Sequence, residues 1–265
     1  MIHLADTVTK VGDKARGMVL VCGSHGGAYP GYLAGKTGAR AVILNDAGGG
    51  KDNTGFASLD YLNGFGMAAA TASNMSCRIG DAKDMMARGR ISHTNDLSRR
   101  LGVEPGLSCE EAVRRLSLAS LPQERGSGGF TEGRRQYPTK GARRIVLIDS
   151  ASLVRPEDEG QIVITGSHGG LLGGNSFLAL QVDGFAGVFH DAGIGIDDAG
   201  ITRLPALDER GIAGITVDGQ TARIGDALSV CEEGRISCVN ETARGLGARP
   251  GERLLERLLI WSEDG

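Results

Sequence analysis

The chain has 265 residues with 29 Lys and Arg against 32 Asp and Glu, a formal charge of -3, so no overall attraction draws it to nucleic acid or to an anionic membrane. Aromatic residues make up 4% with a single Trp, which leaves no stacking platform for single-stranded bases. Cys22, Cys77, Cys109, Cys231 and Cys238 form no CxxC pair, and an odd number of scattered thiols argues against a disulfide framework.

The N-terminal run MIHLADTVTK lacks a basic start followed by an apolar stretch, and no segment approaches the length of a bilayer span. A cytoplasmic location is the expectation. Glycine, at 43 residues, is more than twice as frequent as the usual ~7%.

In chain order the sequence repeats itself. IHLADTVTKV at 2 to 11 returns as IVLIDSASLV at 145 to 154, and GMVLVCGSHGG at 17 to 27 as GQIVITGSHGG at 160 to 170. NDAGGGKDNTG at 45 to 55 meets HDAGIGIDDAG at 190 to 200, and CRIGDA at 77 to 82 meets ARIGDA at 222 to 227. GRISHTNDLSRRLG at 89 to 102 then meets GRISCVNETARGLG at 234 to 247. The expectation is two α/β repeats, residues 1–118 and 144–265, packed about a pseudo-twofold axis. Residues 119–143, rich in Gly and Arg, read as a linker or lid, more mobile than either repeat.

Short β-rich runs at 18–22, 41–44 and 67–72, and again at 161–165, 186–189 and 212–217, predict buried strands. Helical spacing follows in GFASLDYLNGFG, DAKDMMARG and EEAVRRLSLASL, and in GITRLPALDERG, DALSVCEEG and GERLLERLLIW. IVLID and QIVIT, split by the charged turn RPEDEG, suggest an antiparallel hairpin.

Three repeated motifs are expected at the carboxyl edge of the strands, where open α/β sheets bind ligands. The first is Ser24, His25, Gly26 and Gly27 with Ser167, His168, Gly169 and Gly170. Small residues there let backbone N–H groups converge on an anion while His moves a proton. The His-Gly-Gly run resembles the oxyanion loops of esterases in those few residues alone, and no Gly-x-Ser-x-Gly nucleophile elbow accompanies it.

The second motif pairs Asp46 with Asp191 as acid/base groups, and Asp52 with Asp197 and Asp198 as candidates for a divalent metal, Asp52 and Asp197 being helix caps in the structural alternative. Between the copies Asn45 becomes His190 and Ile196 stands opposite Lys51. These changes of chemical type mark His190 and Lys51 as acid/base candidates at a specialised site. In the third motif Arg78 and Arg223 either clasp a neighbouring Asp or grip a substrate carboxylate. Asn95 and Asn240 are expected to cap helices, and Cys22 and Cys77 to be small buried residues.

No P-loop or dinucleotide fingerprint is present. The expected function is a hydrolase or lyase acting on a polar, anionic small molecule bearing a carboxylate or amide, without a predicted cofactor. The alternatives are a non-catalytic ligand-binding module and a divalent-metal-dependent lyase or isomerase. A homo-oligomer is compatible with descent from a symmetric dimer.

Overall fold

The computed structural model describes residues 1–122 and 130–264. The chain is α/β and divides into two compact units. The first comprises Met1–Gly49, Asn53–Thr131 and Gly195–Asp197, the second Gly50–Asp52, Glu132–Ile194 and Asp198–Gly265.

The first unit holds a five-stranded sheet in the order β1 (Ile2–Ala5), β2 (Val19–His25), β3 (Ala41–Asn45), β4 (Ala68–Ala72) and β5 (Ile91–Thr94). The first four strands are parallel and β5 runs antiparallel to β4. Each parallel strand lies beside its predecessor, so every crossover steps the same way and right-handedness puts all of them on one face. That face carries α1 (Ala28–Lys36) and α2 (Ser58–Gly64), where Leu20, Val42 and Leu44 meet Ala34, Leu59 and Leu62. The alternate residues Val19, Val21 and Ile43 face α3 (Ala82–Arg88) and α5 (Cys109–Leu116) through Met85, Val113 and Leu116. Strands buried on both faces read as continuous apolar runs, which is why 41–44 and 67–72 were legible. The short helix α4 (Asp96–Arg100) follows β5.

The second unit holds six strands in the order β11 (Ile236–Val239), β10 (Ala213–Val217), β9 (Ala186–His190), β8 (Ile162–His168), β7 (Ile145–Ile148) and β6 (Arg134–Tyr137). β7 to β10 are parallel, with antiparallel partners at both edges. One face packs Leu147, Ile164, Val188 and Ile215 on Val230, Leu258 and Trp261 of α7 (Ala227–Glu233) and α9 (Leu254–Glu263). The other packs Ile148, Val163 and Phe189 on Leu207 of α6 (Arg203–Asp208) and on Ala179 and Leu180. The last helix to be placed, α8 (Glu241–Gly245), follows β11.

One expectation is corrected. IVLID and QIVIT pair in parallel, with Ile145 beside Ile162, rather than as a hairpin; the intervening chain makes two short 3-10 turns and has the length of a crossover. The stretch 119–143, read as a linker or lid, contributes the edge strand β6. Its Arg134 makes two hydrogen bonds, 3.0 and 2.7 Å, to the fully buried carboxylate of Asp158. Residues 123–129, on which part of the linker and mobility expectation falls, lie outside the described residues.

Candidate functional site

The two GSHGG loops begin inside strands. Pairing of β2 with β3 breaks between Val21 and His25, and that of β8 with β9 between Ile164 and His168. At the break, a side chain on Gly23 would sit 2.8 Å from the backbone of Asp6, Gly80 and Asp81, so close packing demands glycine there. Ser24 Oγ accepts a hydrogen bond from Val8 N–H and Ser167 Oγ from Ala151 N–H, both at 3.0 Å.

The glycine N–H groups expected to converge on an anion are engaged within the protein. Gly26 N–H donates to Asn45 O at 2.7 Å and Gly169 N–H to His190 O at 2.8 Å. Gly27 N–H donates to His25 Nδ1 and Gly170 N–H to His168 Nδ1, both at 3.2 Å. The last two bonds have a chemical consequence. A neutral imidazole whose Nδ1 accepts carries its proton on Nε2, so each loop fixes the tautomer of its own histidine. His168 is buried and His25 half-buried.

His190 has a different employment from the expected acid/base role. It is fully buried; Nδ1 accepts from Ala192 N–H and Nε2 donates to Ala222 O, both at 3.0 Å. Asn45 does the same with its amide, Oδ1 accepting from Ala47 N–H at 2.9 Å and Nδ2 reaching Cys77 O at 3.4 Å. The change from Asn to His conserves a donor and an acceptor rather than creating a base. Burial holds the His190 imidazole below its usual value and pushes the adjoining Asp191 carboxyl up.

Asp46 and Asp191 tie loops together. Asp46 Oδ1 accepts from Gly48 N–H and Asn74 N–H at 3.0 and 2.9 Å, and Asp191 Oδ1 from Gly193 N–H and Gly219 N–H at 2.8 and 3.0 Å. The loops that follow wind left-handed, with positive φ at Ala47, Gly48, Gly49 and Gly50 and again at Ala192, Gly193, Ile194 and Gly195. Ile194, at φ 60°, is the costliest of these, because a β-branched side chain crowds the backbone there.

The remaining charged candidates form ion-pair clusters within each unit. In the first, Arg78 reaches Asp197 at 2.9 Å and Asp84 at 3.8 Å, with Arg88 between the same carboxylates. In the second, Arg223 reaches Asp52 at 2.7 Å and Glu233 at 3.1 Å, and Lys51 reaches Glu233 at 3.3 Å. Asp52, Asp197 and the exposed Asp198 all have positive φ and lie within the 3-10 segments Lys51–Phe56 and Ile196–Ile201. Among the described residues no group of three His, Cys, Asp or Glu side chains is arranged to hold a metal ion. No described helix is long and apolar enough to cross a membrane. Burial pushes the Cys22 thiol up to about 11 and those of Cys77, Cys109 and Cys231 to about 12, unsuited to nucleophilic work. Asn95 and Asn240 cap helices as expected, and Asp81 and Asp226 cap two more.

Sequence reasoning missed Arg203. This residue is 3% exposed, its Nε donates to the carbonyls of His168 and Gly170 at 3.2 Å, and Nη1 donates to Leu178 O and Ala179 O at 2.7 and 2.6 Å. It also lies 4.9 Å from the Phe189 ring centroid. Among the described residues it has no carboxylate within ion-pair distance, and burial alone brings its guanidinium down to about 10. The signal was available: the repeat aligns Arg203 with Ser58, a change as large as any that was noted.

No protein-family model, curated protein or solved structure matches this chain.

Proposed function

We propose that the chain arose by duplication of one α/β unit, and that it is a small-molecule enzyme, a hydrolase or lyase acting on an anionic metabolite with a carboxylate or amide. The observation that carries this reading is that Arg203 is buried with no carboxylate within ion-pair distance among the described residues. A buried cation without a counter-charge is costly, and this one is hydrogen-bonded to the backbone of the loop that fixes the His168 tautomer. An anionic group of a ligand supplies the missing charge.

With the anion held by Arg203, His168 acts through its Nε2 proton, as a hydrogen-bond donor to negative charge developing on a carbonyl oxygen or as the acid that protonates a leaving group. His25 is the equivalent group of the first unit. His190 holds the His168 loop through its carbonyl, which accepts from Gly169 N–H, while Asp46 and Asp191 brace the following glycine loops and Lys51, Arg78 and Arg223 are engaged in ion pairs. The glycine N–H groups keep the loops in shape rather than receiving the oxyanion.

The test is a thermal-shift screen of small carboxylates and amides against the whole chain, repeated on Arg203→Gln once circular dichroism shows that variant folded. A ligand present at about 100 times its Kd stabilises by about 2.7 kcal/mol. Carboxylates are expected to stabilise the native protein and to lose that effect in Arg203→Gln. His168→Gln should then retain binding and lose about 100-fold or more in turnover of the ligand identified. No stabilising carboxylate, or equal stabilisation of Arg203→Gln, would overturn the reading.

A further inference from the structure

Aromatic residues are scarce in this chain, yet five of them gather on the crossover face of the first unit. Tyr29 and Tyr32 lie one turn apart on α1, Tyr61 lies in the middle of α2 and Phe65 just after its end. Tyr32 and Tyr61 stand 6.4 Å apart at 70°, and a third ring sits against both: Phe130, 5.5 Å from Tyr32 and 5.2 Å from Tyr61 at 88°. The four helix-borne rings are half-buried, whereas Phe130 is 39% exposed. Phe130 belongs to no helix or strand, and no backbone or side-chain hydrogen bond to another described residue fixes it. Lys36 stands at the rim, its Nζ 5.0 Å from the Tyr32 ring centroid and 3.2 Å from the Tyr32 hydroxyl.

We infer that the place Phe130 fills against the Tyr32 and Tyr61 rings is a binding site for an aromatic ring bearing an anionic group, and that Phe130 is its displaceable resident. Edge-to-face geometry of the kind Phe130 adopts is what the ring quadrupole favours. The gain from one edge-to-face contact with Tyr61 and one tilted contact with Tyr32 is comparable with the entropy lost in fixing the Phe130 backbone and side chain, so an incoming ring competes with Phe130 on nearly equal terms. The Lys36 ammonium beside Tyr32 selects a ring that carries negative charge. The equivalent helix of the second unit has Ala206 and Arg210 where α2 and its end have Tyr61 and Phe65, so the site belongs to the first unit alone. It is independent of the enzyme reading, which rests on residues of the second unit.

The sign of one substitution separates a resident from a wall. If Phe130 merely lined the site, removing it would weaken binding; if it occupies the site, removing it strengthens binding. A resident present nine-tenths of the time lowers the apparent affinity tenfold. NMR titration of the whole chain with phenylacetate, following the tyrosine ring signals, is expected to give about tenfold tighter binding in Phe130→Ala than in the native protein. Cyclohexylacetate, of similar size and equal charge but without π electrons, should bind at least fivefold more weakly than phenylacetate. Tyr61→Leu should abolish binding; if that variant fails to fold, Tyr32→Leu serves the same purpose. Equal or weaker phenylacetate binding in Phe130→Ala, or cyclohexylacetate binding as tightly as phenylacetate, would overturn the inference.

Discussion

The chain that leaves Gly27 winds into the helix α1, whereas the chain that leaves Gly170 stays irregular as far as Phe185, with only the short 3-10 turns Leu172–Gly174 and Ser176–Leu178. One pair of aligned residues accounts for much of this contrast. In the first unit Ser58 is small, and Gly31 of α1 presses so close that a side chain there would come within 2.5 Å of Ser58 Cβ. In the second unit the same position is Arg203, whose guanidinium fills that depth and satisfies the carbonyls of Leu178 and Ala179 that no helix satisfies. Arg210 holds the same segment through Leu180 O and Val182 O at 2.7 and 2.9 Å. A regular crossover with a small neighbour and an irregular crossover with arginine neighbours are two solutions to one requirement, that buried backbone acceptors find donors. The difference also separates the candidate chemistry: the helical solution bears the aromatic face, and the irregular one bears a buried cation.

Importing the second solution into the first unit breaks this comparison most directly. Ser58→Arg places a guanidinium against α1, whose carbonyls are largely committed to the helix, and is expected to cost about 3–5 kcal/mol as an uncompensated buried charge. Denaturant unfolding, with circular dichroism for helix content, measures it. A loss below about 1 kcal/mol would show that the segment, not the aligned residue, chooses the structure.

A similar effect sharpens the second comparison, between Asn45 and His190. His190→Ala removes the ring that Ala192 N–H and Ala222 O share and should cost about 2–6 kcal/mol, at about 1–3 kcal/mol for each of the two hydrogen-bonding groups that lose it. His190→Asn restores one donor and one acceptor and should cost less than about 1 kcal/mol. The pH dependence gives an independent check. The folded value of His190 lies below its unfolded value of about 6.5, so as pH falls through that range the unfolded chain takes up a proton that the folded chain refuses. Stability is therefore lost on acidification. The raised Asp191 carboxyl works in the opposite direction and is retained in both proteins. The native protein should accordingly lose more stability than His190→Asn between pH 7.5 and 5.5, and parallel curves would count against a buried neutral imidazole.

The smallest effect concerns the left-handed loops. Gly49 and Ile194 are aligned, with φ of 74° and 60°. Ile194→Gly relieves the crowding of a β-branched residue and should gain about 1 kcal/mol of stability. A loss on that substitution would mean that Ile194 contributes more by packing than it costs in strain.

Most of the strand positions were legible because β2, β3, β8 and β9 are buried on both faces and must be continuously apolar. The caps at Asn95 and Asn240 were legible because their hydrogen bonds are local, to residues three positions on. The edge strands β5, β6 and β11 were not, since Arg134–Tyr137 and its counterparts alternate or expose polar residues and declare themselves only through a neighbouring strand. The parallel pairing of β7 with β8 was hidden because two adjacent buried apolar runs do not declare their relative direction, which only the path of the chain between them decides. At the candidate site the sequence singled out His25 and His168, but it read His190 as a change of function. Whether a histidine is a base or a two-ended hydrogen-bond clamp depends on what stands opposite each nitrogen.

The sequence by itself determined the repeat, the alternation of strands with helices and the glycines of the two GSHGG loops, because these follow from periodicity and from local backbone limits. Only the tertiary structure decided that glycine N–H groups of these loops are occupied, that Asn45 and His190 do equal work, and that Arg203 lies buried with no carboxylate beside it among the described residues. Those properties depend on partners distant along the chain: Ala222 for His190, Leu178 and the His168 carbonyl for Arg203. No local pattern encodes the far end of a hydrogen bond, and the cost of a buried charge is set by everything that surrounds it.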